Sequence, residues 1–290
     1  MIILDGSMGN ELLKRAGKTS SGLWSAQFLI DSPELVKEVH QDYIDVGANV
    51  ITTNTYSTIP SYLKKEKKTH LMKDLIRKAG IIARGVAEEN HQKILVAGSL
   101  PPLDESYRPD LVPDEKEALP IYEELIEELN PFVDIFLCET VSSILETSNI
   151  LKAVRDKADK NKEIWLSWTL LEDKSGRLRS KETIEEAFQL AETFNPDAYL
   201  FNCTDPIAIT EGIKKLSKLT DKPIGCYPNI FGVPLDWTLD NNVEVNPRNL
   251  SIKQFIEYKK LWEDLGASII GGCCGSVSYT HLTLPTTRLV

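Results

Sequence analysis

A chain of 290 residues, 42% hydrophobic and 26% charged, has the composition of a globular protein with a sizeable core, which excludes a disordered, collagenous or small disulfide-stapled chain. Its 43 acidic against 33 basic residues leave a formal net charge of −10, so nucleic acid and anionic membrane surfaces are repelled on average, and neither is expected as a partner. No stretch approaches the ~20 consecutive apolar residues of a membrane helix, and Met1-Ile2-Ile3-Leu4-Asp5 has no basic segment before its short apolar run, which predicts a cytoplasmic protein.

Short apolar runs bounded by turn residues alternate with segments of helical period, the pattern of repeated βα units around a parallel sheet. In chain order the spacing predicts strands at residues 2–4, 50–53, 94–97, 135–138, 164–168, 198–201, 223–227 and 268–270. Each is nearly continuously apolar, as strands covered on both faces must be. Ser32-Pro33-Glu34 opens a helix with an N-cap, a proline at the first position and a first-turn acid, running to Gly47. Further helices are predicted at 73–89, 115–129, 144–158, 184–193, 208–217 and 252–265. This order fits an α/β fold of the (β/α)8 TIM-barrel type better than a doubly wound sheet, and Asp5-Gly6-Ser7-Met8-Gly9 has the glycine spacing of neither nucleotide-binding loop. Two insertions, 101–113 after the third strand and 230–249 after the seventh, lie where a barrel walls its active site.

In such a barrel the polar residues at the C-terminal strand ends converge on one mouth. Here those ends carry Asp5, Thr52-Thr53-Asn54-Thr55-Tyr56, Glu139, Asn202-Cys203, Tyr227-Pro228-Asn229 and Gly271-Gly272-Cys273-Cys274-Gly275. Cys203, Cys273 and Cys274 come from two strand ends two positions apart around the ring. They suit a zinc ion with an open fourth position, the pattern of a catalytic rather than a structural site. Neighbouring strand residues face opposite ways, so Cys273 and Cys274 share a metal only if the chain leaves extended geometry, which the flanking glycines permit. Buried structural thiols or a redox-active vicinal pair fit the same spacing. Alternation sets Cys138 opposite Glu139, so Cys138 and Cys226 read as small buried hydrophobes, while Cys203 shares a face with Tyr199 and Phe201. His40, His70, His91 and His281 fall away from the strand ends, which disfavours a histidine-rich hydrolase centre. Asp5 and Glu139 read as an acid/base pair, as in a glycosidase, or as a seat for a substrate ammonium group. Asp5 alone also reads as a helix cap. Trp24, Tyr56 and Tyr227 belong to core or wall; as wall they would attract a cationic ligand.

Taken together, Asp5-Gly6-Ser7-Met8-Gly9-Asn10-Glu11-Leu12, Leu23-Trp24-Ser25-Ala26, Thr53-Asn54-Thr55-Tyr56, Val96-Ala97-Gly98-Ser99, Cys138-Glu139-Thr140, Asn202-Cys203, Tyr227-Pro228-Asn229 and Gly271-Gly272-Cys273-Cys274-Gly275 resemble the homocysteine S-methyltransferase family. The Leu-Trp-Ser-Ala and Tyr-Pro-Asn segments place the chain nearest the members that use S-methylmethionine. The resemblance implies that Cys203, Cys273 and Cys274 bind Zn2+, that the sulfur of L-homocysteine takes the fourth place, and that Asp5 and Glu139 hold its amino group. It further implies Asn54, Tyr56, Trp24, Tyr227 and Asn229 in substrate binding, S-methylmethionine or S-adenosylmethionine as donor, and methionine as product. No catalytic side chain is implied beyond the zinc-activated substrate thiolate. Two departures stand out. Leu100-Pro101-Pro102-Leu103 follows Ser99 where the family has a Gly-Pro pair, and residues 277–290 carry four threonines, an interrupting proline and no helical period. That tail is similar to translated vector sequence. The expected organisation is therefore a zinc barrel over 1–276 lacking its last helix, followed by a non-native tail at 277–290; the alternative function is a truncated, noncatalytic barrel that binds zinc or an amino acid.

Overall fold

The computed structural model describes residues 1–17, 22–229, 231–234, 246–247 and 250–275. Eight parallel strands form the barrel: β1 Ile2–Ile3, β2 Val50–Thr52, β3 Leu95–Leu100, β4 Ile135–Val141, β5 Glu163–Trp168, β6 Ala198–Asn202, β7 Ile224–Tyr227 and β10 Ala267–Ile270. Between the last two, β8 Phe231–Gly232 and β9 Asn246–Pro247 make a separate antiparallel pair. Neighbours in the sheet run β1-β10-β7-β6-β5-β4-β3-β2. The circle closes where Leu4 bridges Val50, the Asn49 amide donates to Ile3 O at 2.9 Å, and the Asp5 amide donates to Val50 O at 3.0 Å. Strand order follows chain order, as repeated right-handed βα units require.

The helices are α1 Met8–Ala16, α2 Ala26–Asp31, α3 Pro33–Asp45, α4 Pro60–Lys65, α5 Met72–Glu89, α6 Glu115–Leu129, α7 Ile144–Lys157, α8 Ile184–Glu192, α9 Pro206–Leu216 and α10 Ile252–Asp264. Local signals account for their ends. Asp114 caps α6 by accepting from the Glu117 amide at 3.0 Å, Thr183 and Ser251 form reciprocal capping boxes on α8 and α10, and Gly17 ends α1 in the left-handed region at φ 58°. Ser32 makes no such bond, so α3 starts on the preset φ of Pro33 alone. The six-residue helices α2 and α4 have no sequence-predicted counterpart, because less than two turns is too short to show a helical period. Among the described residues no helix follows β10, and none is long and apolar enough to cross a membrane. The tail at 277–290 and most of the 230–249 insertion lie outside the described residues.

Alternation along each strand divides the core in two. One face packs against the helices, with Phe136, Cys138, Leu166, Trp168, Tyr199, Phe201 and Cys226 buried there. The other fills the barrel with Leu4, Val50, Leu137, Trp165, Leu200 and Ile269. Cys138 and Cys226 are thus buried outside the barrel, as small hydrophobes. The interior side chains plug its floor and leave space only at the C-terminal mouth.

Candidate active site at the barrel mouth

The C-terminal strand ends enclose a cavity of ≈ 220 Å³. Asp5, Trp24, Asn54, Tyr56, Glu139, Cys203, Tyr227, Cys273 and Cys274 all line it. Asn229 does not: its side chain is fully buried beside Tyr107, without reaching hydrogen-bond geometry, and its amide donates to Thr204 O at 3.1 Å. Among the described residues no lysine, arginine or histidine lines the cavity. Two carboxyls and three sulfurs without a resident cation make a site that favours cationic ligands.

The three sulfurs lie within 4.8 Å of one another. Cys203 and Cys273 are joined as a disulfide with Cα atoms 5.7 Å apart, the oxidised form of this donor set, and Cys274 is a free thiol. The bonded pair therefore spans two strand ends and is not the vicinal one. Backbone bonds continue the ladder beyond the strands and carry the cysteines inward: the Cys203 amide donates to Tyr227 O at 3.2 Å and the Cys273 amide to Pro228 O at 3.0 Å. Cys203 does not share the outward face of Tyr199 and Phe201. At φ 50° it sits in the left-handed region, so alternation ends at Asn202 and its sulfur turns into the mouth with Val233 and Tyr107. Gly275, at φ 81°, supplies the corresponding turn after Cys274. Burial pushes the Cys274 thiol up to about 12, and Glu139 adds to the effect. Such a thiol ionises at neutral pH only with a cation beside it, so the donor chemistry fits a thiophilic metal ion.

Both carboxyls are buried and built into the walls. Asp5 accepts from the Thr52 amide at 2.7 Å and from Thr52 Oγ1 at 2.9 Å. The cap of α1 is instead Ser7, which makes no side-chain bond, so Asp5 is not a helix cap. Ser99 Oγ donates to Glu139 Oε1 in a short bond, and Tyr227 Oη donates to Oε2 at 3.4 Å. Burial lifts Asp5 from 3.8 and Glu139 from 4.5, each to about 7, against the lowering pull of these hydrogen bonds. Beneath them, the fully buried Asn202 side chain ties three strand ends together. Its Oδ1 accepts from the Thr140 amide at 2.8 Å and from Ser167 Oγ at 2.7 Å, and its Nδ2 donates to Thr140 Oγ1 at 2.9 Å.

An aromatic wall faces the acids. Trp24 meets Tyr56 edge-on at 5.9 Å, and its indole lies where a Cβ on Gly9 would be, 2.5 Å away. Tyr56 Oη and Ser106 Oγ share a 2.6 Å hydrogen bond, and Asn54 Nδ2 donates to Ser25 O at 3.0 Å. Tyr107, Ser106 and Met8 also line the cavity and were not singled out from sequence. The 101–113 insertion was recognisable as a wall by its length. No pattern within it marks Tyr107, whose φ of 68° exists only in the folded chain.

Comparison with known proteins agrees with this geometry. The chain is 29% identical to the selenocysteine Se-methyltransferase of Brassica oleracea var. italica, over 96% of this chain and 86% of that protein. It is 26% identical to homocysteine S-methyltransferase YbgG of Bacillus subtilis (strain 168), over 94% and 90%. A crystal structure of the Escherichia coli homocysteine methyltransferase MmuM in its metallated form superposes with a TM-score of 0.82 at 27% identity, covering 97% of this chain and 94% of that one. The homocysteine S-methyltransferase family model matches residues 2–281, from the first strand through the cysteine pair, and the chain therefore belongs to that family.

Proposed function

We propose that this enzyme transfers a methyl group from S-methylmethionine to the thiolate of L-homocysteine, with Zn2+ held by reduced Cys203, Cys273 and Cys274. The observation that carries the reading is the convergence of three sulfurs from two separate strand ends on a cavity that also holds two buried carboxyls and, among the described residues, no basic side chain. When bound, zinc lowers the pKa of the acceptor thiol, so that the sulfur is a nucleophile at neutral pH. Asp5 and Glu139, anchored by Thr52, Ser99 and Tyr227, receive the homocysteine ammonium group and orient its sulfur toward the cysteine cluster. Trp24 and Tyr56 present ring faces and edges to the sulfonium donor, and the enclosed wall excludes water. The thiolate forms a bond to the methyl carbon as the carbon–sulfonium bond breaks, and its electron pair leaves on the donor sulfur as a neutral thioether. No general acid is needed, and the products are two molecules of methionine. S-adenosylmethionine, a larger sulfonium, is the second donor to compare, and selenocysteine the second acceptor, because a relative is named for it.

The test is methionine formation from homocysteine with each donor in turn, with and without a zinc chelator, on reduced protein. The reading requires about one zinc per chain and turnover with S-methylmethionine that the chelator abolishes. Turnover that survives complete metal removal would overturn it.

A further inference from the structure

Arg179 is a buried cation that the chemistry above does not use. It lies between β5 and α8, 3% exposed, and its amide donates to Thr169 O at 3.3 Å. Its guanidinium reaches two other loops. Nη1 donates to Val233 O at 3.1 Å and Nη2 to Pro234 O at 2.9 Å, both after β7, while Cζ stands 5.3 Å from the ring centre of Tyr107, after β3. The Glu172 carboxylate is the acid whose charge acts on the guanidinium, and its Nε has no hydrogen-bond partner. Burying a cation is costly even with an acid nearby, and a neutral side chain would fill the space at less expense. What the arrangement achieves is local. The backbone of Val233 is gripped from both sides, by Arg179 at its carbonyl and by Glu172 Oε1, which accepts its amide at 2.7 Å. Val233 in turn packs with Tyr107 against Cys203, Cys273 and Cys274.

We propose that Arg179 is a positioning residue for the methyl donor: it locks the Val233 strap and the Tyr107 ring into one wall over the sulfur cluster. This rests on the methyltransferase reading. In-line transfer depends on holding donor and acceptor sulfurs in register, and a wall loosened by about 1 Å costs on the order of 100-fold in rate. Because the Arg179 contacts involve neither Asp5 nor Glu139, its effect falls on the donor.

The test is Arg179→Lys, which keeps the charge but lacks the fork that spans two carbonyls and the plane that lies over a ring. The expected result is a donor KM at least 10-fold higher and a lower kcat, with the homocysteine KM and the zinc content per chain within 2-fold of the parent. A donor KM within 2-fold of the parent, a parallel rise in both KM values, or loss of zinc would each overturn the proposal. If Arg179→Lys does not fold, Arg179→Gln, which removes the buried charge and keeps one donor group, is read by the same criteria. Turnover of the parent enzyme with a sulfonium tests the underlying reading separately. Its absence with every sulfonium defeats that reading, whereas a parent that turns over beside a variant without the split defeats only the assignment of Arg179.

Discussion

Two residue types decide the chemistry, the thiols that form the donor set and the acids that face them. Cys203→Ser is expected to remove the bound zinc and the methyl transfer together, read by metal analysis and methionine assay on the same sample. Glu139→Gln keeps the shape and the Ser99 contact but loses a charged acceptor. We expect about 2 kcal/mol weaker homocysteine binding, roughly a 30-fold rise in its KM, with zinc content unchanged. The pH dependence follows from burial. In the free site Asp5 and Glu139 each hold a proton up to about pH 7, so they are neutral below that pH and ionised above it. On the proposed reading, homocysteine binding through its ammonium group is expected to be strong at pH 8 and to fall as pH drops through 7, and Glu139→Gln is expected to flatten the profile. For the empty enzyme the sign is opposite. Raised acid pKa values mean that the folded state binds protons more tightly than the unfolded one between about pH 4 and 7, so these two groups reduce stability as pH rises through that window. The identities of these residues were legible in the sequence, since each stands at the end of an apolar run. Their protonation was not, because it depends on burial created by distant elements.

At the scale of elements, the mouth is made by strands that stop being strands. Trp24, Tyr107, Thr140 and Cys203 all have positive φ, an uncommon conformation for non-glycine residues, and all lie at or beside the cavity. Neighbouring contacts must hold them there. For Thr140 the holding group is Asn202, the residue before Cys203, whose amide side chain takes up the Thr140 amide and hydroxyl and the Ser167 hydroxyl across β4, β5 and β6; the Cys203 amide is held by Tyr227 O. Asn202→Leu would leave the Thr140 amide buried without a partner and remove one bond from the Ser167 hydroxyl. We expect a loss of about 2–4 kcal/mol in urea unfolding, together with weakened zinc binding as Cys203 relaxes toward extended geometry. Period and turn residues were sufficient to predict all eight barrel strands within a few residues, because each strand is buried on both faces and reads as an apolar run. They predicted Cys138 and Glu139 on opposite faces of β4 but not that the strand continues to Val141 through a register shift, since bulges are set by the neighbouring strand.

For the whole molecule the decisive event is closure between β1 and β10 on one side and β1 and β2 on the other. A Cβ on Gly271 would stand 2.5 Å from Leu4 Cβ and 3.1 Å from Asp5 O, so only glycine lets the last strand meet the first. Gly271→Ala is expected to destabilise the fold by about 1–3 kcal/mol and, by shifting Asp5, to raise the homocysteine KM; a melt and a kinetic assay report the two separately. The redox state of the assembled site is also measurable. Denatured without reductant, the oxidised chain should titrate three thiols, those of Cys138, Cys226 and Cys274, and with reductant all five cysteines. By itself the sequence determined the barrel and most of the residues that line its mouth. Apolar periodicity depends on near neighbours, and strand ends in a barrel face one place by topology. Only the tertiary structure decided which two of the three sulfurs pair, that Asn229 does not line the mouth, that Tyr107 does, and that burial raises both carboxyls toward neutrality. Those outcomes depend on contacts between residues tens to hundreds of positions apart and on the exclusion of water, which no local pattern encodes.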